Sequence, residues 1–130
     1  MIVLGPDFRP PPTIGPFQVA FLSLWIDTIS KLDAEYGGTW TLTSWYRDAA
    51  RNAAVGGVMG SLHQVGLAGD FTVERSIVSD ALCGLGSLLG LCKTLPLFAI
   101  ENRFRRLAQP YTQALREPNG SYHYELDLSG

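Results

Sequence analysis

Two histidines and one aspartate are the residues of this chain whose types and spacing are suited to holding a metal ion. His63 and His123 are its two histidines, and Asp70 follows His63 by seven positions in the stretch SLHQVGLAGD. Two imidazole nitrogens and one carboxylate oxygen leave a fourth tetrahedral position for water, which is typical of catalytic rather than structural zinc. The linear spacing does not show that the histidines meet, so a satisfied core histidine and a turn-capping aspartate stay open as alternatives.

The segments around these three residues predict strands that bring them to one edge of a sheet. GLAGDFTV alternates in polarity, and this places Asp70 away from the apolar face. In SYHYELDL the tyrosines and leucines alternate with ionisable residues, so His123 and Glu125 share the polar face of a second strand.

The remaining pattern predicts an α+β domain with a small antiparallel sheet and flanking helices. The predicted elements are a core helix over Phe17–Tyr36, a strand in TWTLTSW, a short helix in YRDAARNAAVGG, a second core helix in SIVSDALCGLGSLLGLC and a strand in LPLFAIEN. The segment from Arg103 to Arg116 stays ambiguous because Pro110 interrupts it. Residues 1–16 carry five prolines and predict an extended arm or tether, followed by one domain over 17–130.

Composition limits the classes of function. With 130 residues and 46% hydrophobic content, the chain is long enough for one hydrophobic core. Its net charge of -2 gives no excess of positive charge for binding nucleic acid. No apolar run reaches the roughly 20 residues that span a bilayer. The N-terminal segment does not resemble a conventional secretory signal, so export would use another route, such as a phage holin or host lysis.

The two cysteines receive no chemical role. Cys83 and Cys92 are nine positions apart, and a continuous helix would hold them roughly 13 Å apart, beyond the reach of a disulfide. We expect two small buried apolar side chains.

The stretch around the first histidine also resembles a known motif. Ser61, His63, Gly66, Ala68 and Asp70 fit Ser-x-His-x-x-Gly-x-Ala-x-Asp, which is similar to the zinc-binding signature of the D-Ala-D-Ala metallopeptidase family. That family includes zinc D,D- and L,D-carboxypeptidases and phage endolysin peptidases, and it is related to the Hedgehog signalling domain. TSWYRDAARNAAVGGVMGS upstream and HYEL downstream resemble further segments of the family, so the likeness covers residues 39–128.

The resemblance implies roles for individual residues. His63, Asp70 and His123 match the zinc ligands. Arg47 would polarise the scissile carbonyl or hold the developing oxyanion, with an ordinary salt bridge to a neighbouring carboxylate as the alternative. Ser61 would hydrogen-bond the substrate backbone or steady the loop.

The general base is less directly implied, because Gly120 stands at the position, three before His123, where carboxypeptidases of the family place a glutamate. EPNGSYHYE resembles that motif with three residues inserted, so Glu117 is the preferred base, returned toward the metal by the turn after it. Glu125 is the competitor, since it shares a strand face with His123. A solvent-exposed loop carboxylate is the alternative for Glu117.

Together these residues predict a zinc-dependent peptidase that hydrolyses peptidoglycan stem peptides. We expect a monomer acting at the bacterial cell wall, released by phage lysis or carried in a virion, with neither a nucleic-acid partner nor a membrane span. D,D-carboxypeptidase, L,D-carboxypeptidase and endolysin-like endopeptidase activities stay open. The alternative from another class is a non-catalytic zinc module that binds cell wall or forms part of a phage tail.

Overall fold

The computed structural model describes residues 1–57, 61–74, 96–108, 112–117 and 120–126. Within these ranges the helices are α1 (Pro16–Tyr36), α2 (Ala49–Ala54), a 3-10 helix (Leu62–Val65) and α3 (Pro96–Ala108). The strands are β1 (Ile2–Leu4), β2 (Thr39–Ser44), β3 (Ala68–Glu74), β4 (Thr112–Arg116) and β5 (Tyr122–Leu126).

The five strands form one mixed sheet in the order β1-β2-β3-β5-β4. The pairs β2–β3, β3–β5 and β4–β5 are antiparallel, and β1 lies parallel to β2. The predicted α+β fold is confirmed. The parallel edge strand was not predicted, because three residues are too few to show a period of two.

Helix α1 covers one face of the sheet. It begins at Pro16, whose fixed φ suits the first helical turn, and it ends where Gly37 adopts a φ of 64°. Its buried residues recur at helical spacing: Phe21, Trp25, Thr28, Ile29 and Leu32. The predicted core helix is therefore confirmed, with one more residue at its start.

A glycine in β3 lets α1 approach the sheet closely. The indole of Trp25 packs on Gly69, where an added Cβ would lie 2.5 Å from Trp25 Cζ2. Side chains alternate along a strand, so the next residue, Asp70, points to the face opposite α1. The close packing on one face thus leaves the carboxylate on the other.

The predicted strand in LPLFAIEN is wrong, since α3 occupies Pro96–Ala108. A short apolar run does not distinguish a buried strand from a helix, but the residues after it do. Ile100, Phe104 and Ala108 are buried at a spacing of four residues. The previously ambiguous segment therefore divides into the end of α3 and strand β4.

Some predictions lie outside the described residues. These are the second core helix, Cys83 and Cys92, and the end of the final strand beyond Leu126. Among the helices that are described, none is long and apolar enough to cross a membrane.

Candidate metal centre

The register of two strands brings Asp70 and His123 together. They are direct partners in the antiparallel pair β3–β5, and Asp70 Oδ1 lies 2.7 Å from His123 Nδ1. Opposed residues of an antiparallel pair project to the same face of the sheet. The neighbours of His123 on the other face, Tyr122 and Tyr124, are buried in the core.

An irregularity in β2 lies beside this pair. Leu42 pairs with Phe71 and Ser44 pairs with Asp70, so β2 contains one extra residue, Thr43, at this point. Such bulges bend a strand and turn its side chains locally. The polar residues at the end of β2 therefore lie at the same edge as Asp70.

His63 reaches the pair from the 3-10 helix that precedes β3. The Ser61 hydroxyl caps this helix by accepting a hydrogen bond from the His63 backbone N–H at 3.2 Å. The His63 side chain is fully buried. Its ring centroid lies 5.3 Å from that of His123, and the Asp70 carboxylate contacts both rings.

The tautomer of His63 follows from its hydrogen bond. Nδ1 lies 2.7 Å from the carbonyl oxygen of Trp45, and because a carbonyl only accepts, Nδ1 carries the proton and donates it. Nε2 is then the nitrogen with the lone pair. It is buried, forms no hydrogen bond with the residues that the structure describes, and lies 3.2 Å from Asp70 Oδ2.

His123 is held between two carboxylates. Its Nδ1 contacts Asp70, and its Nε2 lies 3.1 Å from Glu125 Oε2. Burial by itself lowers the pKa of His123, but the hydrogen bonds to Asp70 and Glu125 outweigh it and raise the pKa to about 8. Without a metal the ring therefore carries a proton on each nitrogen at neutral pH.

Asp70 stays ionised between the two rings. Burial raises the pKa of its carboxyl, but hydrogen bonding to His123 and the adjacent His63 imidazole outweigh burial and hold the pKa well below its usual range. Asp70 therefore presents negative charge to any cation at this position.

These three side chains fit a metal ion. One ligand atom from each of His63, Asp70 and His123 lies within 4.8 Å of the others. His63 Nε2 forms no hydrogen bond among the described residues and lies 3.2 Å from Asp70 Oδ2, so a cation between this nitrogen lone pair and the carboxylate oxygen would be bound by both. The donor set of two nitrogens and one carboxylate suits zinc.

The two candidate bases occupy different sides of His123. Glu117 Oε1 is 3.8 Å from Nδ1, the nitrogen that also faces Asp70. Glu125 contacts Nε2. A tight turn positions Glu117, since its backbone N–H donates to Ser121 O at 2.8 Å and Gly120 N–H donates back to Glu117 O at 2.9 Å.

Arg47 lines the same cleft. Within the described residues its guanidinium forms no ion pair, and its Nε atom is buried without a hydrogen-bond partner. The adjacent Asp48 instead caps α2 by accepting from Arg51 N–H at 2.7 Å. The salt bridge to a neighbouring carboxylate, weighed as an alternative for Arg47, is therefore absent from this part of the chain.

The cleft has a volume of about 520 Å³. Its lining combines the metal-facing residues with the end of α2 and the loop before β3: Arg47, Val55, Gly56, Gly57, Ser61, Leu62, Asp70, Glu117, His123 and Glu125. Every site residue predicted from the sequence lines this cleft except the fully buried His63.

The sequence did not reveal Trp45 as a site residue. Its carbonyl holds His63 Nδ1, and its indole Nε1–H donates to Gly66 O at 2.9 Å. The tryptophan in SWYR was the one available sequence signal. However, the group that accepts from His63 Nδ1 is the backbone carbonyl of Trp45, and every residue type carries such a carbonyl.

The N-terminal arm braces the same loop. The Phe8 ring lies 5.8 Å from that of Trp45, and Tyr46 N–H donates to Arg9 O at 2.9 Å. Pro11 is buried against Gly66, where an added Cβ would lie 2.8 Å from Pro11 Cγ. Residues 8–11 are thus packed on the segment that carries His63.

Comparison with known proteins gives one family. The family model described as Peptidase M15 matches residues 11–82, more than half of the chain, and the match includes His63 and Asp70. It supports the resemblance to the D-Ala-D-Ala metallopeptidases. No curated protein matches the chain. No solved structure matches it either.

Proposed function

The chain belongs to the M15 family of peptidases, and on this premise we propose that it is a zinc-dependent hydrolase of peptide bonds in bacterial peptidoglycan. The observation that carries the proposal is the convergence of His63, Asp70 and His123, whose ligand atoms lie within 4.8 Å of one another. Two imidazoles and one carboxylate leave a coordination position for water or substrate.

The ligand atoms follow from the hydrogen bonds already made. His63 would bind through Nε2, because Nδ1 is engaged by Trp45. His123 would bind through Nδ1, because this nitrogen faces Asp70 while Nε2 faces Glu125. Zinc held by these residues would supply Lewis acidity for activating water and polarising the scissile carbonyl.

Glu117 is assigned the role of general base. Its Oε1 lies on the ligand side of His123, 3.8 Å from Nδ1. There the carboxylate can take a proton from the attacking water and deliver it to the nitrogen of the leaving amine. The Ser121 hydroxyl, 3.4 Å from Glu117 Oε2, helps to orient the carboxylate.

Glu125 is assigned a positioning role instead. Its contact is with His123 Nε2, the nitrogen turned away from the ligand cluster. A carboxylate that accepts the second N–H of a ligating histidine fixes the orientation of the ring and increases its basicity. The two glutamates considered from the sequence therefore receive different functions.

Arg47 is assigned to the carbonyl oxygen of the substrate. Its guanidinium lines the cleft with Asp70 and has no carboxylate partner among the described residues. A permanently charged group at this position stabilises the negative charge that develops on oxygen during attack. Ser61 is assigned to the loop, since its hydroxyl already accepts from His63 N–H.

Stem peptides of the cell wall are the proposed substrate class. The family match supports peptide hydrolysis, and the polar, charged cleft suits a peptide carrying several amides and carboxylates. We propose that a monomer acts at the bacterial cell wall after phage lysis or as part of a virion. Carboxypeptidase and endopeptidase action both accord with this cleft.

The test is a digest of purified peptidoglycan with the zinc-loaded protein, analysed by mass spectrometry for new amino and carboxyl termini. We expect release of amines that a chelator blocks and added zinc restores. A protein that binds zinc stoichiometrically but leaves the peptides intact would instead be the non-catalytic zinc module.

A further inference from the structure

A second pocket adjoins the metal cleft on the side of the N-terminal arm. Its volume is about 290 Å³, and it is lined by Asp7, Arg9, Tyr46, Arg47, Asp48 and Arg51. Arg47 belongs to both the pocket and the metal cleft. A third cavity shares Asp7 and Arg51 with this pocket, and Asp70 and Glu117 with the metal cleft. A peptide at the metal centre can therefore extend into this pocket.

The pocket carries an excess of positive charge. Three of its lining residues are arginines and two are aspartates. Asp48 is engaged as the cap of α2, and Asp7 pairs with Arg51 at 3.3 Å. Within the described ranges neither Arg9 nor Arg47 has a carboxylate partner. This charge is local, because the chain as a whole has a net charge of -2.

The guanidinium of Arg9 is held in place by the arm itself. Its Nη1 donates to the carbonyl oxygens of Pro6 at 2.9 Å and Phe8 at 2.8 Å. The backbone carbonyl of Arg9 accepts from Tyr46 N–H at 2.9 Å. The arm is thus fixed to the segment next to Arg47, and it supplies a cation to the pocket wall.

We propose that this pocket binds a carboxylate of the substrate peptide through Arg9 and Arg51, beyond the carbonyl held by Arg47. The proposal rests on the peptidase function proposed above. Guanidinium groups recognise carboxylates by paired, charge-assisted hydrogen bonds. The carboxylate is either the C-terminus of the peptide or an acidic side chain.

The alternative is that the Asp7–Arg51 ion pair has only a structural role and ties the N-terminal arm to α2. The two side chains are 64% and 51% exposed, and exposed ion pairs contribute little to stability. A substrate carboxylate can therefore displace Asp7 from Arg51. The two explanations predict opposite effects of removing the Asp7 charge.

The experiment compares three synthetic stem peptides: one with all carboxylates free, one amidated at the C-terminus and one amidated at its glutamate. Dissociation constants are measured by calorimetry on the metal-free full-length chain, in which hydrolysis does not interfere, and KM is measured on the zinc-loaded chain. Amidation at the recognised position is expected to weaken binding about tenfold. The amidated peptide that binds more weakly identifies which carboxylate enters the pocket.

Variants assign the effect to residues. Arg9→Gln and Arg51→Gln are each expected to weaken binding of the recognised carboxylate about five- to tenfold without changing binding of its amide. Asp7→Asn is expected to strengthen it, because Arg51 loses its competitor. The matched control is Arg105→Gln, an exposed arginine of α3 that pairs with Glu101 at 2.9 Å. Thermal unfolding verifies that every variant is folded.

Two outcomes overturn the proposal. One is equal affinity for the three peptides, and the other is an Asp7→Asn variant whose affinity is unchanged or reduced. A chain that binds the three peptides with different affinities but cleaves none of them would refute the peptidase function and leave the carboxylate pocket supported. A chain that cleaves the peptides but binds all three with equal affinity would refute the carboxylate pocket and leave the peptidase function supported.

Discussion

Asp70 and His123 are 53 positions apart in the chain, yet they face each other across adjacent strands with 2.7 Å between Oδ1 and Nδ1. The register of β3 against β5 sets this contact. A slip of one residue would turn His123 into the core and bring a tyrosine to the site, since the side-chain period of a strand is two. Burial of Tyr122 and Tyr124 on the opposite face opposes that slip.

Loss of His63 is predicted to abolish metal binding. His63→Ala removes the buried nitrogen that lies beside the Asp70 carboxylate, so zinc affinity should fall by more than about 100-fold, the upper end of the loss caused by removing an outer-shell partner. Elemental analysis and peptide hydrolysis are the measurements. Gln64→Ala, on the same 3-10 helix, is the control. Undiminished hydrolysis by His63→Ala would contradict the assignment.

The two glutamates are predicted to fail in different ways. Glu117→Gln should lower kcat by about 10²- to 10⁴-fold, the range of general acid–base catalysis, with zinc affinity retained. Glu125→Ala should weaken zinc binding by about 10- to 100-fold, because His123 Nε2 loses its acceptor. Titration of zinc together with steady-state kinetics separates the two effects. The reverse pattern would exchange the roles of Glu117 and Glu125.

The stability of the metal-free protein is predicted to depend on His123. The pKa of His123 in the folded chain is about 8, above the usual value of 6.5. Protonated His123 therefore contributes its full stabilisation below about pH 6.5, and this contribution to the free energy of unfolding is lost as pH rises through about 8. The expected loss is about 2 kcal/mol. Urea unfolding of the chain and of His123→Gln between about pH 6 and pH 9.5 measures the difference.

Zinc should cancel this dependence, because metal binding at Nδ1 requires loss of the proton and is favoured by higher pH. The rise in zinc affinity offsets the loss of the His123 proton, so the stability of the zinc-loaded chain should stay nearly constant over the range in which the metal-free chain loses it. A zinc-loaded chain that loses stability as the metal-free chain does would show that His123 Nδ1 does not bind the metal.

Gly66 is predicted to support the His63 loop in two ways. It adopts a φ of 73°, and an added Cβ would lie 2.8 Å from Pro11 Cγ. Gly66→Ala should cost about 1–2 kcal/mol for the left-handed backbone, and about 1–3 kcal/mol more for displacing the arm. Gly56→Ala is the matched control, since its φ is 74° with nothing within 4 Å of the added Cβ.

Chemical unfolding and zinc titration of the two glycine variants give the comparison. Equal loss of stability in both would show that the contact with Pro11 contributes nothing. A lower zinc affinity in Gly66→Ala alone would show that the arm acts on the ligand loop.

Elements with a strong hydrophobic period, and the residue types of the site, could be predicted from the sequence. The alternation in SYHYELDL predicted that His123 and Glu125 share a face, and β5 has this arrangement. The helical spacing in Phe17–Tyr36 predicted α1. These inferences succeed because each depends on residues that are close in the chain.

Features that depend on residues far apart in the chain could not be predicted in this way. Helix α3 replaced a predicted strand because burial of Ile100 and Phe104, rather than local propensity, selected the conformation. The Trp45 carbonyl engages Nδ1 of His63 and so turns its Nε2 toward the cluster. Glu125 engages Nε2 of His123 and so leaves its Nδ1 facing the cluster. A backbone carbonyl has no signature in sequence, and contacts between separate strands depend on register, so these features became visible only in the folded chain.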